Sequence, residues 1–352
     1  MNNNNILVAF IVAFIITFST TPFVKKLAFK IGAVDIPRDS RRMHKRPTAR
    51  LGGLAIFFGF IISAMIFSHI DKEIAGILIG ATIIVILGIF DDIYALSAKI
   101  KFLVQLVAAL CPAIMGVSID FIKVPSFISN YGYIGLGYLA IPVTLVWIVG
   151  ITNAINLLDG LDGLACGVSS ISALTLLCIA IIVGEPTVAF LTSALAGACF
   201  GFLPYNFNPA KLFMGDTGAL FLGFVLASIS VQGLFKGYAV ISIAAPLLIL
   251  GLPIFDTASA ILRRMKNHQP IMSPDRGHLH HRLVDAGFSQ KQAVTIIYIL
   301  CLILCISAII LIATGAISWW VFIAVIIGFI LFLYLTPKII ELLTEHKGGF
   351  YD

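Results

Sequence analysis

Between Asn153 and Gly163 the chain reads NAINLLDGLDG, and its polar side chains recur at every third position. A step of three residues turns a helix by about 300°. Asn153, Asn156 and Asp159 therefore share one face and present two amides and a carboxylate, all oxygen donors. Asp162 would face away if the helix ran straight, but Gly160 and Gly163 let the chain bend and bring it back. Hard oxygen ligands of this kind suit Mg²⁺ or Mn²⁺. Asn and Asp also cap helix ends, which accounts for one or two of these residues but hardly four.

Three further clusters could do chemistry. Asp91 and Asp92 end an apolar run in GIFDDIY. They make poor membrane stop signals, since Lys and Arg serve there, and as acids at a helix C-terminus they oppose the macrodipole. Lys99 and Lys101 follow and could neutralise the pair or hold a phosphate. Asp216 lies in MGDTG, where Gly215 and Gly218 permit close backbone approach to a ligand; it could be a metal ligand or an N-cap. His278, His280 and His281 follow Asp275 and Arg276 and precede Arg282. With no cysteine nearby and hard oxygen donors elsewhere, this loop suits phosphate or sugar hydroxyls better than zinc. A solvated juxtamembrane charge cluster is the plainer alternative. Asp256 could simply pair with Arg263 or Arg264.

The elements that carry these residues are apolar. Of 352 residues 60% are hydrophobic and 11% charged, against roughly 25% charged in a soluble domain. The apolar residues form long runs, and a run of about 18 or more can cross a bilayer as a helix. The expected fold is an all-α polytopic membrane bundle of about eleven spans in a single domain: 6–26, 51–69, 73–92, 101–117, 137–156, 164–183, 187–204, 217–234, 238–257, 293–314 and 317–337. Residues 118–136 are too short to cross and alternate in places, which fits a small external β-hairpin. The start, MNNNN, lacks the positive region of a cleavable signal, so the first span is expected to stay, with the N-terminus outside and the C-terminus cytoplasmic. The six cysteines lie in apolar stretches without a C-x-x-C pair and read as small buried thiols.

Sidedness follows from charge. Twenty of the 23 Lys and Arg residues fall on the segments assigned to the cytoplasm, against Lys72, Lys123 and Lys236 outside, as the positive-inside rule requires. Basic loops facing anionic lipid account for the net charge of +6 without nucleic acid. The loops near 27–50, 93–100, 157–163, 205–216 and 258–292 then share the cytoplasmic side, and all four clusters border them. Carboxylates and amides for a hard cation, with Lys and Arg for phosphates, suit phosphoryl transfer between a soluble donor and a lipid acceptor. A cation-coupled transporter is the competing class, although transporters place such residues near the bilayer midplane.

The motifs GIFDDIY, NAINLLDGLDGLA, NPAKLFMGDTGALFLG and HLHHRL occur in an order that resembles the polyprenyl-phosphate N-acetylhexosamine-1-phosphate transferases, of the glycosyltransferase family 4 type. The likeness runs from GAVDIPRDSRRMHKRPTARLGG to HLHHRL. YNFNPAK and the histidine loop look most like the branch using UDP-N-acetylglucosamine, and within it the Gram-positive enzymes that start the teichoic-acid linkage unit. The sister branch, which transfers phospho-N-acetylmuramoyl-pentapeptide, typically has three consecutive histidines; here Leu279 interrupts the run.

This resemblance implies a Mg²⁺-dependent transfer to undecaprenyl phosphate at the cytoplasmic face of the bacterial plasma membrane. It implies Asp216 and Asn156 as metal ligands, Asp91 and Asp92 as the catalytic acidic pair acting on the lipid phosphate, and Lys101 on the nucleotide diphosphate. Asp162 matches a uridine-side contact, with Asp159 beside it and Asn153 on the same helix face. His278, His280 and His281, with Arg282, match a loop that closes over sugar and phosphate. The basic stretch from Arg41 to Arg50 is expected to border the nucleotide. The chain is also compatible with a homodimer.

Overall fold

A computed structural model describes residues 3–36, 47–123, 133–235, 244–270, 277–314 and 327–328. Twelve α-helices are assigned among them: α1 (Asn3–Ile31), α2 (Gly53–Phe67), α3 (Lys72–Tyr94), α4 (Ala98–Ile114), α5 (Ala140–Leu158), α6 (Leu164–Val183), α7 (Pro186–Asn206), α8 (Gly215–Ser230), α9 (Ala244–Ile249), α10 (Gly251–Lys266), α11 (Leu279–Asp285) and α12 (Gln290–Thr314). Local chemistry sets their ends. Asp71 accepts from the Ile74 amide at 2.8 Å to start α3, and Ala95 in the left-handed region (φ 52°) stops it. Pro186 opens α7, where a missing N–H costs nothing.

The helix α8 is the axis of the bundle, with every residue but Asp216 buried. It packs against α3 and α5, and α1, α2, α6 and α7 form the adjoining layer. Two glycines let neighbours reach the start of α8: a Cβ at Gly88 of α3 would strike the Thr217 backbone, and one at Gly53 of α2 the Gly218 backbone. Apolar packing gains little between helices in lipid, and polar cross-links add to it. Ser193 donates to the Ile6 carbonyl at 2.6 Å, Ser63 to that of Ala9 at 2.8 Å, and the Trp147 indole to Ser230 at 3.1 Å.

Among the described residues seven helices are long and apolar enough to cross a membrane, so the protein is a polytopic helical membrane protein. The expected spans differ from the helices in places. The second is a helix of 15 residues, about 22 Å long against a hydrocarbon core of about 30 Å. The run expected at 238–257 is not one helix: the described part breaks at Leu250, and α10 continues to Lys266. The cause is Pro253, whose ring would clash with the carbonyl four residues earlier and is tolerated only in the first turn of a new helix. The loop expected at 258–292 accordingly holds the end of α10, the short α11 and the first residues of α12. Most of the expected span 317–337 lies outside the described residues.

The hairpin expected near 118–136 is present, β3 (Phe121–Lys123) pairing antiparallel with β4 (Tyr133–Gly135). A second pair, β1 (Val34–Asp35) with β2 (Thr48–Ala49), is too short for its alternation to show in sequence. It shapes the segment before α2, which continues against the chain entering α8. Phe213 donates its amide to the Ala49 carbonyl at 2.9 Å, Gly52 to that of Phe213 at 2.9 Å, and Gly53 to that of Met214 at 2.8 Å.

Candidate active site

That pairing carries Arg50 to the mouth of a cluster built from the end of α3, the start of α8, α4 and α5. Asp92, at the end of α3, accepts from Arg50 Nε at 3.0 Å and from the Asp216 amide at 2.9 Å through one oxygen. Its other oxygen accepts from the Thr217 amide at 3.1 Å and the Thr217 hydroxyl at 2.6 Å. Asp92 is thus the N-terminal cap of α8, supplied from another helix. Asp91 is turned toward α4: it accepts from the Leu96 amide at 2.8 Å and from Lys101 Nζ at 2.7 Å.

Lys101 also reaches Asp216 at 3.2 Å, and Arg50 reaches Asp216 at 3.5 Å. Asn156 of α5 donates to Asp216 at 3.3 Å. Exposure separates the three carboxylates. The side chains of Asp91 and Asp92 are 3% and 0% exposed, whereas that of Asp216 is 24% exposed beside Arg50 and Lys101. Asp216 is therefore the carboxylate at the open side, and the DD pair backs it.

The electrostatics are finely balanced. Burial opposes the charge on Arg50, but Asp92 and Asp216 more than offset it and hold the guanidinium above its ordinary value. Three carboxylates facing two cations leave one excess negative charge. Asp159, just past the end of α5, is pushed up to about 7 by burial and then by the charges of Asp216 and Asp92, with Arg50 pulling the other way.

The donors fit Mg²⁺ or Mn²⁺ rather than zinc, being hard oxygens at one open carboxylate and a neighbouring amide residue. Among the described residues no group of three His, Cys, Asp or Glu side chains is arranged to hold a metal. Mg²⁺ suits such a sparse set, since one or two carboxylates with substrate phosphates and water commonly complete its shell.

The other expected residues surround this cluster without all joining it. Asn153 points to α4, where its amide nitrogen donates to Gln105 at 2.6 Å and to the Val149 carbonyl at 2.8 Å. Asp162 holds the loop before α8, accepting from Asn208 at 2.9 Å and the Ala210 amide at 3.0 Å. Asn208 in turn donates to Gln290. Asn206 and Tyr298, not singled out by spacing, clamp the same loops: Asn206 accepts from the Gly163 amide at 3.2 Å, and Tyr298 donates to the Gly163 carbonyl at 2.6 Å.

The histidine segment lies on the α5–α6 loop. A Cβ at Gly160 would strike the His280 ring, so the absent side chain is what lets His280 rest there, one residue from Asp159. His278, His280 and His281 form a run of rings, with centroids 5.9 Å apart for the first pair and 4.2 Å for the second. Burial, with His281 beside it, drives His280 down to about 3, so it is neutral. Burial and Arg263 lower Arg282, against the pull of Asp256.

A bundle of spanning helices with this acid-and-cation cluster at the helix ends fits a membrane-embedded transferase, and comparisons with known proteins support that class. The family described as glycosyl transferase family 4 matches residues 74–234. A Bacillus subtilis (strain 168) protein named "Probable undecaprenyl-phosphate N-acetylglucosaminyl 1-phosphate transferase" is 45% identical over 97% of this chain and 93% of its own. The decaprenyl-phosphate N-acetylglucosaminephosphotransferase of Mycobacterium tuberculosis (strain H37Rv) is 35% identical over 82% of this chain and 78% of its own. The undecaprenyl-phosphate alpha-N-acetylglucosaminyl 1-phosphate transferase of Escherichia coli (strain K12) is 26% identical over 78% and 75%. The chain belongs to glycosyl transferase family 4, among its polyprenyl-phosphate N-acetylhexosamine-1-phosphate transferases, and is a glycosyl phosphotransferase.

Proposed function

We propose that the protein transfers N-acetylglucosamine 1-phosphate from UDP-N-acetylglucosamine to undecaprenyl phosphate, releasing UMP, at the cytoplasmic face of a bacterial plasma membrane. The product would enter a lipid-linked cell-wall glycopolymer such as a teichoic acid. The names of the Bacillus and Escherichia relatives support donor and acceptor. In this reading eleven spans cross the bilayer with the N-terminus outside, and the one-sided distribution of Lys and Arg supports it. The observation that carries the site is the bridging of Asp91 and the open Asp216 by one ammonium, that of Lys101.

Asp216 and Asn156 would hold Mg²⁺, with Mn²⁺ as a substitute. The bound cation would lower the negative charge of the diphosphate and of the departing UMP. Lys101 and Arg50 add fixed positive charge at the same opening and hold the donor's phosphates. A phosphate monoester has its second pKa near 6, so the acceptor is mostly dianionic at neutral pH and needs no strong base. Its oxygen attacks the sugar-linked phosphorus. The new P–O bond forms as the bond to the bridging oxygen breaks, and that electron pair leaves with UMP.

Asp91 orients the acceptor, while Asp92 keeps the start of α8, and so Asp216, in place. Asp159 and Asp162 border the uridine side. His278, His280, His281 and Arg282 close over sugar and phosphates, and Asn153 holds α5 against α4. Purified protein in detergent, given labelled UDP-N-acetylglucosamine, undecaprenyl phosphate and Mg²⁺, is expected to label the lipid and release UMP in equal amounts. A protein that moves no label, or that uses only UDP-N-acetylmuramoyl-pentapeptide, would overturn the reading.

A further inference from the structure

Asp256 lies in α10 and is 6% exposed. A buried carboxylate is costly unless its oxygens find donors. Both of its oxygens engage the segment that follows α10. Asp256 Oδ2 is 2.8 Å from His278 Nδ1, and Oδ1 accepts from the Leu279 amide at 2.8 Å. His278 is itself 4% exposed. The spacing of Asp256 to Arg263 and Arg264 suggests an ion pair within α10; the fold also gives this carboxylate a buried imidazole, 22 residues along the chain.

The chemistry of the pair fixes a tautomer. A carboxylate only accepts, so His278 Nδ1 carries the proton and Nε2 is the nitrogen left to act. The same carboxylate sets where α11 begins. The His278 ring lies nearly parallel to that of His280, at 12°, and His280 rests on Gly160 beside the candidate site. One side chain in α10 thus sets both the proton position on His278 and the register of the histidine run on the α5–α6 loop.

We infer that Asp256 is a positioning residue of the transferase, acting through His278, whose Nε2 it presents to the donor. This rests on the proposed function above. The arrangement is the one by which a carboxylate behind a histidine fixes its ring and tautomer; behind metal-bound histidines, loss of such a partner typically costs about 10–100-fold.

Asp256→Asn separates positioning from simple bracing. The amide can keep both contacts, accepting from Leu279 and donating to His278, but it then makes Nδ1 the acceptor and moves the proton to Nε2. The expected result is an unchanged thermal midpoint with kcat lower by about 10–100-fold and a smaller change in donor KM. His278→Asn is the second variant: its amide can still donate to Asp256, while the Nε2 position is gone. It should fold and lose kcat to a similar degree, and Asp256→Asn should add less than about twofold in that background, since the two act as one unit.

Either variant with kcat within about twofold of the unsubstituted protein, or independent losses that multiply in the double variant, would overturn the inference. Reactivity of His278 toward diethyl pyrocarbonate, with exposed His268 as the internal control, reports on the pair without turnover. Protection lost in Asp256→Ala is expected, and equal reactivity in both proteins counts against the pair. An unsubstituted protein that is protected at His278 yet transfers nothing would sink the proposed function and leave the pair standing.

Discussion

Asp92 closes the N-terminus of the helix that carries Asp216: its carboxylate accepts from the Asp216 and Thr217 amides at 2.9 and 3.1 Å. Asp92→Ala removes these bonds, the Thr217 hydroxyl bond and the Arg50 ion pair together. The expected cost is about 1–3 kcal/mol of stability, with a fall in turnover alongside. Asp92→Asn keeps an acceptor for the amides and should recover part of both. Thermal unfolding in detergent checks this, and an Ala variant that melts with the unsubstituted protein would remove the cap from the account.

Lys101 bridges Asp91 and Asp216 at the open side of the cluster. A hydrogen bond to a charged group is worth about 1.5–3 kcal/mol, so Lys101→Ala should raise donor KM by about ten- to a hundredfold. Steady-state kinetics against UDP-N-acetylglucosamine decides it; unchanged donor affinity would take Lys101 out of the donor pocket.

Gly160 leaves the space that the His280 ring fills. Gly160→Ala should lift the histidine segment, with faster hydrogen exchange across residues 279–285 and lower activity. Full activity with unchanged exchange would mean that the ring does not rest on this loop.

His280 is held neutral by burial, its folded value of about 3 lying below the ordinary 6.5. The folded value is depressed, so the unfolded chain binds the extra proton first. The stabilising contribution is complete above about pH 6.5 and is lost as pH falls toward 3, by at most about 1.4 kcal/mol per pH unit. Acidification from pH 7 to pH 5 should therefore loosen the segment. His280→Gln should blunt the effect, as read by the pH dependence of diethyl pyrocarbonate labelling at His281; an equal pH response in the variant would contradict this origin.

The clusters were legible in sequence because charge in so apolar a chain is costly and stands out, as at Asp91, Asp92 and Asp216. Helix spacing also brings Asn156 to Asp216, though the same spacing put Asn153 beside it, and a buried Gln105 on α4 draws that amide elsewhere. The break at Leu250 was foreshadowed by Pro253, while overall hydropathy argued for a straight span. What the spacing could not show is tertiary. The exposure of Asp216 but not Asp92 depends on four helices meeting, and Asp256 meets His278 from 22 residues away in the chain.

The most direct test of the account is a Mg²⁺ titration of label transfer from UDP-N-acetylglucosamine to undecaprenyl phosphate, comparing the unsubstituted protein with Asp216→Asn, both verified as folded and membrane-inserted. The account predicts saturable Mg²⁺ activation in the former and a loss of about a hundred- to a thousandfold in the latter, not recovered by further Mg²⁺. Transfer by Asp216→Asn within about tenfold, with the same Mg²⁺ dependence, would contradict it.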